Sequence, residues 1–323
     1  MLVPVLLFIL GLLFLIKGGD WFVDGATGVA HRFHLSELLI GATVVSIGTT
    51  LPEVMVSATS ALGGHGEIAY GNAVGSIICN TALIAALTAA IRPGKVQRRS
   101  LVTPVIFFFV AAGIYLFTAY TSGYFSRFTG IILLLLFLIY MVYTVLQMKN
   151  EPQQQAQKPE EPEQAQHGMV KDILLLVVGA VLIAFGADLL VDNGTLIAQA
   201  LGVPESVIAL TFVALGTSLP ELVTAITSLA KGHSALSLGN VIGANLFNLV
   251  LVCGVSAALA PFSIPQSATI AGNNASLVFE LPVMLIVMLI LVGPALRKGR
   301  LSRVQGITLL AIYAAFCVVQ FML

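Results

Sequence analysis

The chain has 323 residues with 15 Lys and Arg against 15 Asp and Glu, so its net charge is zero; 58% of its residues are hydrophobic and 9% charged, giving a mean hydropathy of +1.00. An ordinary soluble domain is about 25% charged. The composition therefore excludes one and predicts an integral membrane protein, with the lipid bilayer as its surroundings and no nucleic-acid or protein partner called for.

Apolar runs long enough to cross about 30 Å of hydrocarbon recur from end to end. They predict ten transmembrane helices, at 3–28, 35–62, 68–91, 101–121, 127–148, 170–199, 204–230, 235–259, 276–295 and 303–322. The opening Met1-Leu2-Val3-Pro4 has no basic flank and leads into a full span, unlike a cleaved signal peptide. With the N-terminus outside, one face receives Arg32, the group from Arg92 to Arg99, Lys149, Lys158, Lys171, Lys231 and the group from Arg297 to Arg303. That is 13 of the 15 basic residues, while the other face receives only Arg127 and Lys17 lies inside the first span. Positive charge marks the cytoplasmic side, so both termini are expected outside a prokaryotic cytoplasmic membrane.

One polar stretch, Lys149 to His167, interrupts this pattern with Pro152, Pro159, Pro162, a run of Gln and mixed Lys and Glu. Such a composition predicts a flexible linker. It divides the chain into a first five-helix repeat over 1–148, a cytoplasmic linker over 149–169 and a second five-helix repeat over 170–323. An odd number of spans per half means that the halves enter the membrane from opposite sides. The expected fold is all-α, two inverted-topology repeats, an arrangement shared by many secondary transporters.

The repeat is also visible residue by residue. Sliding the sequence by 168 positions aligns Gly11–Ile84 with Gly179–Val252 without a gap, with 25 identities in 74 positions. Asp20 falls on Asp188, Asp24 on Asp192, Glu37 on Glu205, Asn72 on Asn240, Gly75 on Gly243 and Asn80 on Asn248. The longest shared passage is Gly48-Thr49-Thr50-Leu51-Pro52-Glu53 with Gly216-Thr217-Ser218-Leu219-Pro220-Glu221. A carboxylate at the centre of a membrane helix costs at least about 2.5 kcal/mol, and it persists where it lines a polar pathway or meets a cation. Two such residues, one in each copy, point to a transport site.

Helical geometry sets out what each copy presents. Thr49 and Glu53 are four residues apart and share a face, and Pro52 cannot donate a backbone hydrogen bond, so a bend is expected there. Carbonyls freed in this way can serve as cation ligands where they line a cavity. Ser76 and Asn80, again four apart, act from the third span. Thr217, Ser218 and Glu221 act from the seventh, and Asn248 from the eighth. An all-oxygen set favours hard cations: Ca2+ takes about 6 to 8 oxygens, and the same oxygens, split among smaller sites, suit Na+. No cofactor is called for and no enzymatic chemistry is expected.

These motifs closely resemble the alpha repeats of the cation/calcium antiporter superfamily, in its prokaryotic Na+/Ca2+ exchanger branch. The resemblance covers both halves and implies exchange of Ca2+ for Na+ by alternating access, with ions held at mid-membrane. It implies Glu53 and Glu221 as Ca2+ carboxylates, Thr49 and Thr217 as carbonyl ligands of Ca2+, and Thr50, Ser76, Thr217 and Ser218 in Na+ sites. The carbonyls of Ser46 and Ala214 would join the Na+ sites, and Asn80 and Asn248 would lie between them. Three positions depart from the commoner pattern: Asn248 stands where many members carry Asp, Ile77 where Asn is common and Ala244 where Ser is common. They leave the carboxylates intact and keep H+ open as counter-ion.

Blander readings compete for some of these residues. Asn80 and Asn248 could glue helices together. Asp20 could pair with Lys17, and His65 and His233, in matching turns, could be solvated. Cys79, Cys253 and Cys317 lie at unmatched positions, so neither a disulfide nor a metal site follows. A passive channel could use the same acids, but it would more naturally assemble a ring around a pore.

Overall fold

The computed structural model describes residues 2–33, 35–150, 168–201, 216, 218–266 and 268–322. Ten helices run through these residues: α1 (Leu2–Arg32), α2 (Glu37–Leu62), α3 (Gly66–Ile91), α4 (Arg98–Thr121), α5 (Arg127–Asn150), α6 (Met169–Ala200), α7 (Leu219–Ala230), α8 (Ser234–Leu259), α9 (Ser276–Lys298) and α10 (Arg303–Met322). Among the described residues nine are long and apolar enough to cross a membrane, so the protein is a multi-pass integral membrane protein. The remaining one, α7, has 12 residues; the expected seventh span begins at 204, and 202–215 lie outside the described residues, as does most of the expected linker.

Four helices contain wide π turns that keep the chain helical while shifting its register: Ser276–Glu280 at the start of α9, Gly41–Val45 in α2, Asn80–Ala85 in α3 and Asn248–Val252 in α8. The last two begin at repeat mates. The turns that precede α3 and α8 match as closely. Gly64 and Gly232 both take left-handed backbone, at φ +84° and +91°, which glycine adopts without steric cost. The same backbone bonds close both turns, Gly63 N–H to Thr59 O and Lys231 N–H to Thr227 O, each 2.9 Å.

The mates α1 and α6 lie against each other over most of their length. Their glycines remove the side chains that would hold the backbones apart: a Cβ on Gly11 would meet the Gly186 carbonyl at 2.9 Å, and one on Gly18 the Gly179 carbonyl at 3.0 Å. Nearer the end of α1, Gly25 packs on the backbone of Asp172 and Leu176. Position numbers rise along α1 as they fall along α6, so the helices are antiparallel. Gly11 is the mate of Gly179 and Gly18 of Gly186, so these two contacts join the same pair of repeat positions.

At one end of the molecule Arg32 bonds Asp172 at 3.2 Å, Arg92 donates to the Leu229 carbonyl at 3.1 Å, and Val96 N–H to the Gly299 carbonyl at 2.9 Å. At the other, β1 (Tyr124–Phe125) pairs antiparallel with β2 (Phe262–Ser263), and Gly66 packs on Phe262. A small hairpin, β3 (Thr269–Ile270) with β4 (Asn273–Asn274), follows in the loop before α9. The main apolar core lies among α3, α4, α5, α8 and α9, and a smaller one holds α1 and α6 to α2.

Candidate ion-binding site

Helix α2 carries the first copy of the acidic motif. It does not stop at Pro52: the chain stays helical from Ser46 to Leu62, and its irregularity is the π turn about two to three turns earlier. A π turn leaves backbone groups out of the ordinary ladder just as proline does, so the expected break is displaced towards the start of the helix. In the second copy α7 opens at Leu219, with Pro220 in its first turn, where a missing N–H costs nothing. Pro52 and Pro220 line one crevice with Phe22, Gly48 and Thr49, too narrow to admit a water molecule.

Glu53 and Glu221 are both fully buried, at 0% exposure, and each is close enough for the other's charge to matter. The Thr50 hydroxyl faces Glu221 Oε1 at 3.5 Å, a link from one copy to the other. Both oxygens of Glu53, Oε2 of Glu221, both side-chain amide atoms of Asn80 and of Asn248, and Ser218 Oγ are buried with no hydrogen-bond partner among the described residues. Nearly all buried polar groups in folded proteins are paired, and an unpaired buried carboxylate is among the costliest of all. No Lys or Arg reaches either Glu among the described residues. Oxygen-rich, acidic and short of donors, this set fits a hard cation.

Ser46, Thr49, Thr50, Glu53, Ser76, Asn80, Ser218, Glu221 and Asn248 are all buried. Thr217 and Ala214 lie outside the described residues. Thr49 and Ser46 turn their hydroxyls to a residue the sequence reading left out of the site, Asn240 on α8. Asn240 Oδ1 accepts from Thr49 Oγ1 at 3.1 Å and from Ser46 Oγ at 3.3 Å, while Ser46 Oγ also reaches the Asn240 carbonyl at 2.9 Å. Its mate Asn72 steadies Glu53 from behind, donating to the Glu53 carbonyl at 3.3 Å and to Ser57 Oγ at 2.8 Å. Gly243 lets α8 approach α2 this closely, since a Cβ there would collide with Ser46 Oγ and Ala42. The signal for both Asn residues was present in the repeat, where they coincide one turn before Ser76 and Ala244.

Two secondary expectations change. Asp20 and Asp24 pair with Lys231 Nζ, at 3.5 and 2.8 Å, rather than with Lys17. His233 is not a free turn residue: its Nδ1 bonds Glu37 Oε1 at 2.7 Å, which pushes its pKa above the ordinary value although partial burial works the other way.

The family described as "Sodium/calcium exchanger protein" matches residues 3–146 and 171–322. The sodium/calcium exchanger MaX1 of Methanosarcina acetivorans is 33% identical over 98% of both chains, and the putative antiporter CaxA of Alkalimonas amylolytica is 34% identical over 98% of both. A solved structure of the sodium-calcium exchanger NCX_Mj, soaked with Na+ and Sr2+, superimposes with a TM-score of 0.80 at 33% identity, covering 97% of each chain. With both halves matched and relatives aligned along nearly the whole length, the chain belongs to the sodium/calcium exchanger family.

Proposed function

We propose that the protein is a secondary active antiporter that exchanges Ca2+ for Na+ by alternating access, with Glu53 and Glu221 supplying the charge that holds Ca2+. The carrying observation is the convergence of two carboxylates from repeat mates, fully buried and unpaired. Two negative charges balance one Ca2+, and hydroxyl, amide and carbonyl oxygens complete its shell. Thr49, Thr50, Ser76, Asn80, Ser218 and Asn248 are assigned to this shell and to the adjoining Na+ sites, with the carbonyls of Ser46, Thr217 and Ala214. When Na+ enters, it competes for the same oxygens, and the site is then exposed to one side or the other.

The same reading takes the chain as two inverted five-helix repeats joined by a linker at 149–169, with both termini outside. Antiparallel packing of the mates α1 and α6 supports it, as does the gathering of alternate turns at opposite ends. Proton-driven exchange is the second reading, favoured by Asn248 and Ala244, which leave the site without a third acid and without one hydroxyl. Flux of radioactive calcium into vesicles containing the purified protein separates them. Uptake driven by an outward Na+ gradient and indifferent to pH supports Na+ exchange; uptake that ignores Na+ and follows a pH gradient overturns it.

A further inference from the structure

The basic end of the molecule is divided into two parts. Around α1, α6 and α7 three cations meet acids: Arg32 bonds Asp172, Lys231 bonds Asp24 and Asp20, and His233 bonds Glu37. Around α3, α4, α9 and α10 two loops carry eight cations within 92–99 and 297–303 and no Asp or Glu. None of the eight forms an ion pair among the described residues.

The two loops are held rigidly side by side. Val96 N–H donates to the Gly299 carbonyl and Leu301 N–H to the Gly94 carbonyl, both at 2.9 Å, with Lys95 and Arg300 opposed across this short antiparallel bridge. Two arginines reinforce it by capping helix ends, Arg303 donating to the Ala90 carbonyl at 2.9 Å and Arg98 to the Arg297 carbonyl at 2.6 Å, while Arg92 donates to the Leu229 carbonyl of α7 at 3.1 Å. Five cations are left over, Lys95, Arg99, Arg297, Lys298 and Arg300, all exposed. Orientation of the chain in the membrane needs positive charge on this side, but it does not need two loops clamped together with every acid withheld.

We propose that this double loop binds the phosphate groups of anionic phospholipids of the inner leaflet. Clustered Lys and Arg at the cytoplasmic ends of membrane helices attract anionic headgroups, and guanidinium matches phosphate oxygens two at a time. Beside the patch, Ile91, Val304 and Ile307 are 63%, 74% and 56% exposed; acyl chains of the same lipid would cover them, which free phosphate could not do. The placement in the inner leaflet rests on the proposed orientation, but lipid retention is read without any ion flux, so the two can fail separately.

The test is native mass spectrometry of the full chain in detergent, with cardiolipin, phosphatidylglycerol or phosphatidylcholine added. The anionic lipids should be retained in preference to phosphatidylcholine and should resist excess inorganic phosphate. Combining Lys95→Gln, Arg99→Gln, Lys298→Gln and Arg300→Gln should weaken their retention about tenfold or more, while Lys17→Gln with Arg127→Gln should leave it unchanged. If the fourfold variant does not purify folded, the pairs Lys95→Gln/Arg99→Gln and Lys298→Gln/Arg300→Gln are read separately. Equal retention of phosphatidylcholine, displacement by inorganic phosphate, or undiminished anionic-lipid retention in the variants would overturn the proposal.

Discussion

Replacing Glu53 by Gln keeps the side chain's shape and removes one of the two charges assigned to Ca2+. A unit charge pair about 4 Å apart is worth roughly 4 kcal/mol at an effective dielectric constant near 20, so a divalent ion loses about 8 kcal/mol of attraction. Relief of repulsion between Glu53 and Glu221 and of carboxylate desolvation returns about half of that, leaving a net loss of about 4 kcal/mol, or roughly a thousandfold in affinity. The ion-free protein should respond in the opposite direction. Both Glu53 oxygens are buried without partners, and a neutral amide is cheaper to bury than an unpaired charge. Thermal unfolding in detergent reads both effects, because a ligand stabilises in proportion to the logarithm of its concentration over Kd. Wild-type protein should gain stability steadily with Ca2+. Glu53→Gln should melt at or above the wild-type temperature in chelator and gain nothing from Ca2+ at the same concentrations. A variant with wild-type Ca2+ stabilisation and wild-type calcium flux would refute the charge argument.

Glu221→Gln should behave in the same way, since the two carboxylates are repeat mates with the same burial. For orientation, Cys placed at Glu67 and at its mate Ala235, both exposed in the first turns of α3 and α8, should react with an impermeant thiol reagent from opposite sides of the membrane; the same side for both would mean parallel halves. If Na+ is the counter-ion, Asn248→Asp and Ala244→Ser should preserve or strengthen the Na+ dependence of calcium flux, and loss of that dependence in both would count against the Na+ assignment. The His233–Glu37 bond raises the pKa of His233, so its stabilisation is complete below the ordinary value of about 6.5 and is lost as pH rises through the raised value. The melting-temperature gap between wild type and His233→Gln should therefore close with rising pH, and a gap that widened would show that the imidazolium is not what holds Glu37.

The fold is most legible in the sequence where one physical signal dominates. Hydropathy placed α2 at 35–62 against the observed Glu37–Leu62, and α8 at 235–259 against Ser234–Leu259. It ended α1 at 28 although the helix runs to Arg32, because a helix of 31 residues, about 46 Å at 1.5 Å per residue, extends beyond the hydrocarbon and its polar end no longer contributes to an apolar window. The repeat singles out, through Pro52-Glu53 and Pro220-Glu221, two carboxylates that the structure buries completely. The partners of Ser46 and Thr49 were hidden, since Asn240 lies 194 and 191 residues away and only the close approach at Gly243 brings it to them. Lys231 was hidden for the same reason: Lys17 is near Asp20 in sequence, whereas the antiparallel packing of α1 and the arrangement of α7 bring Lys231 to it in space. The π turn at Gly41–Val45 has no proline to announce it, so the irregularity was expected at Pro52 instead.

The most direct test of the central claim is to locate the ion. Crystals of the protein soaked in Ca2+ or Sr2+ and measured for anomalous scattering should show one strong peak between the carboxylates of Glu53 and Glu221, weakening as Na+ is raised and absent from Glu53→Gln crystals. A peak elsewhere, or one between these residues that survives loss of the Glu53 charge, would contradict the account.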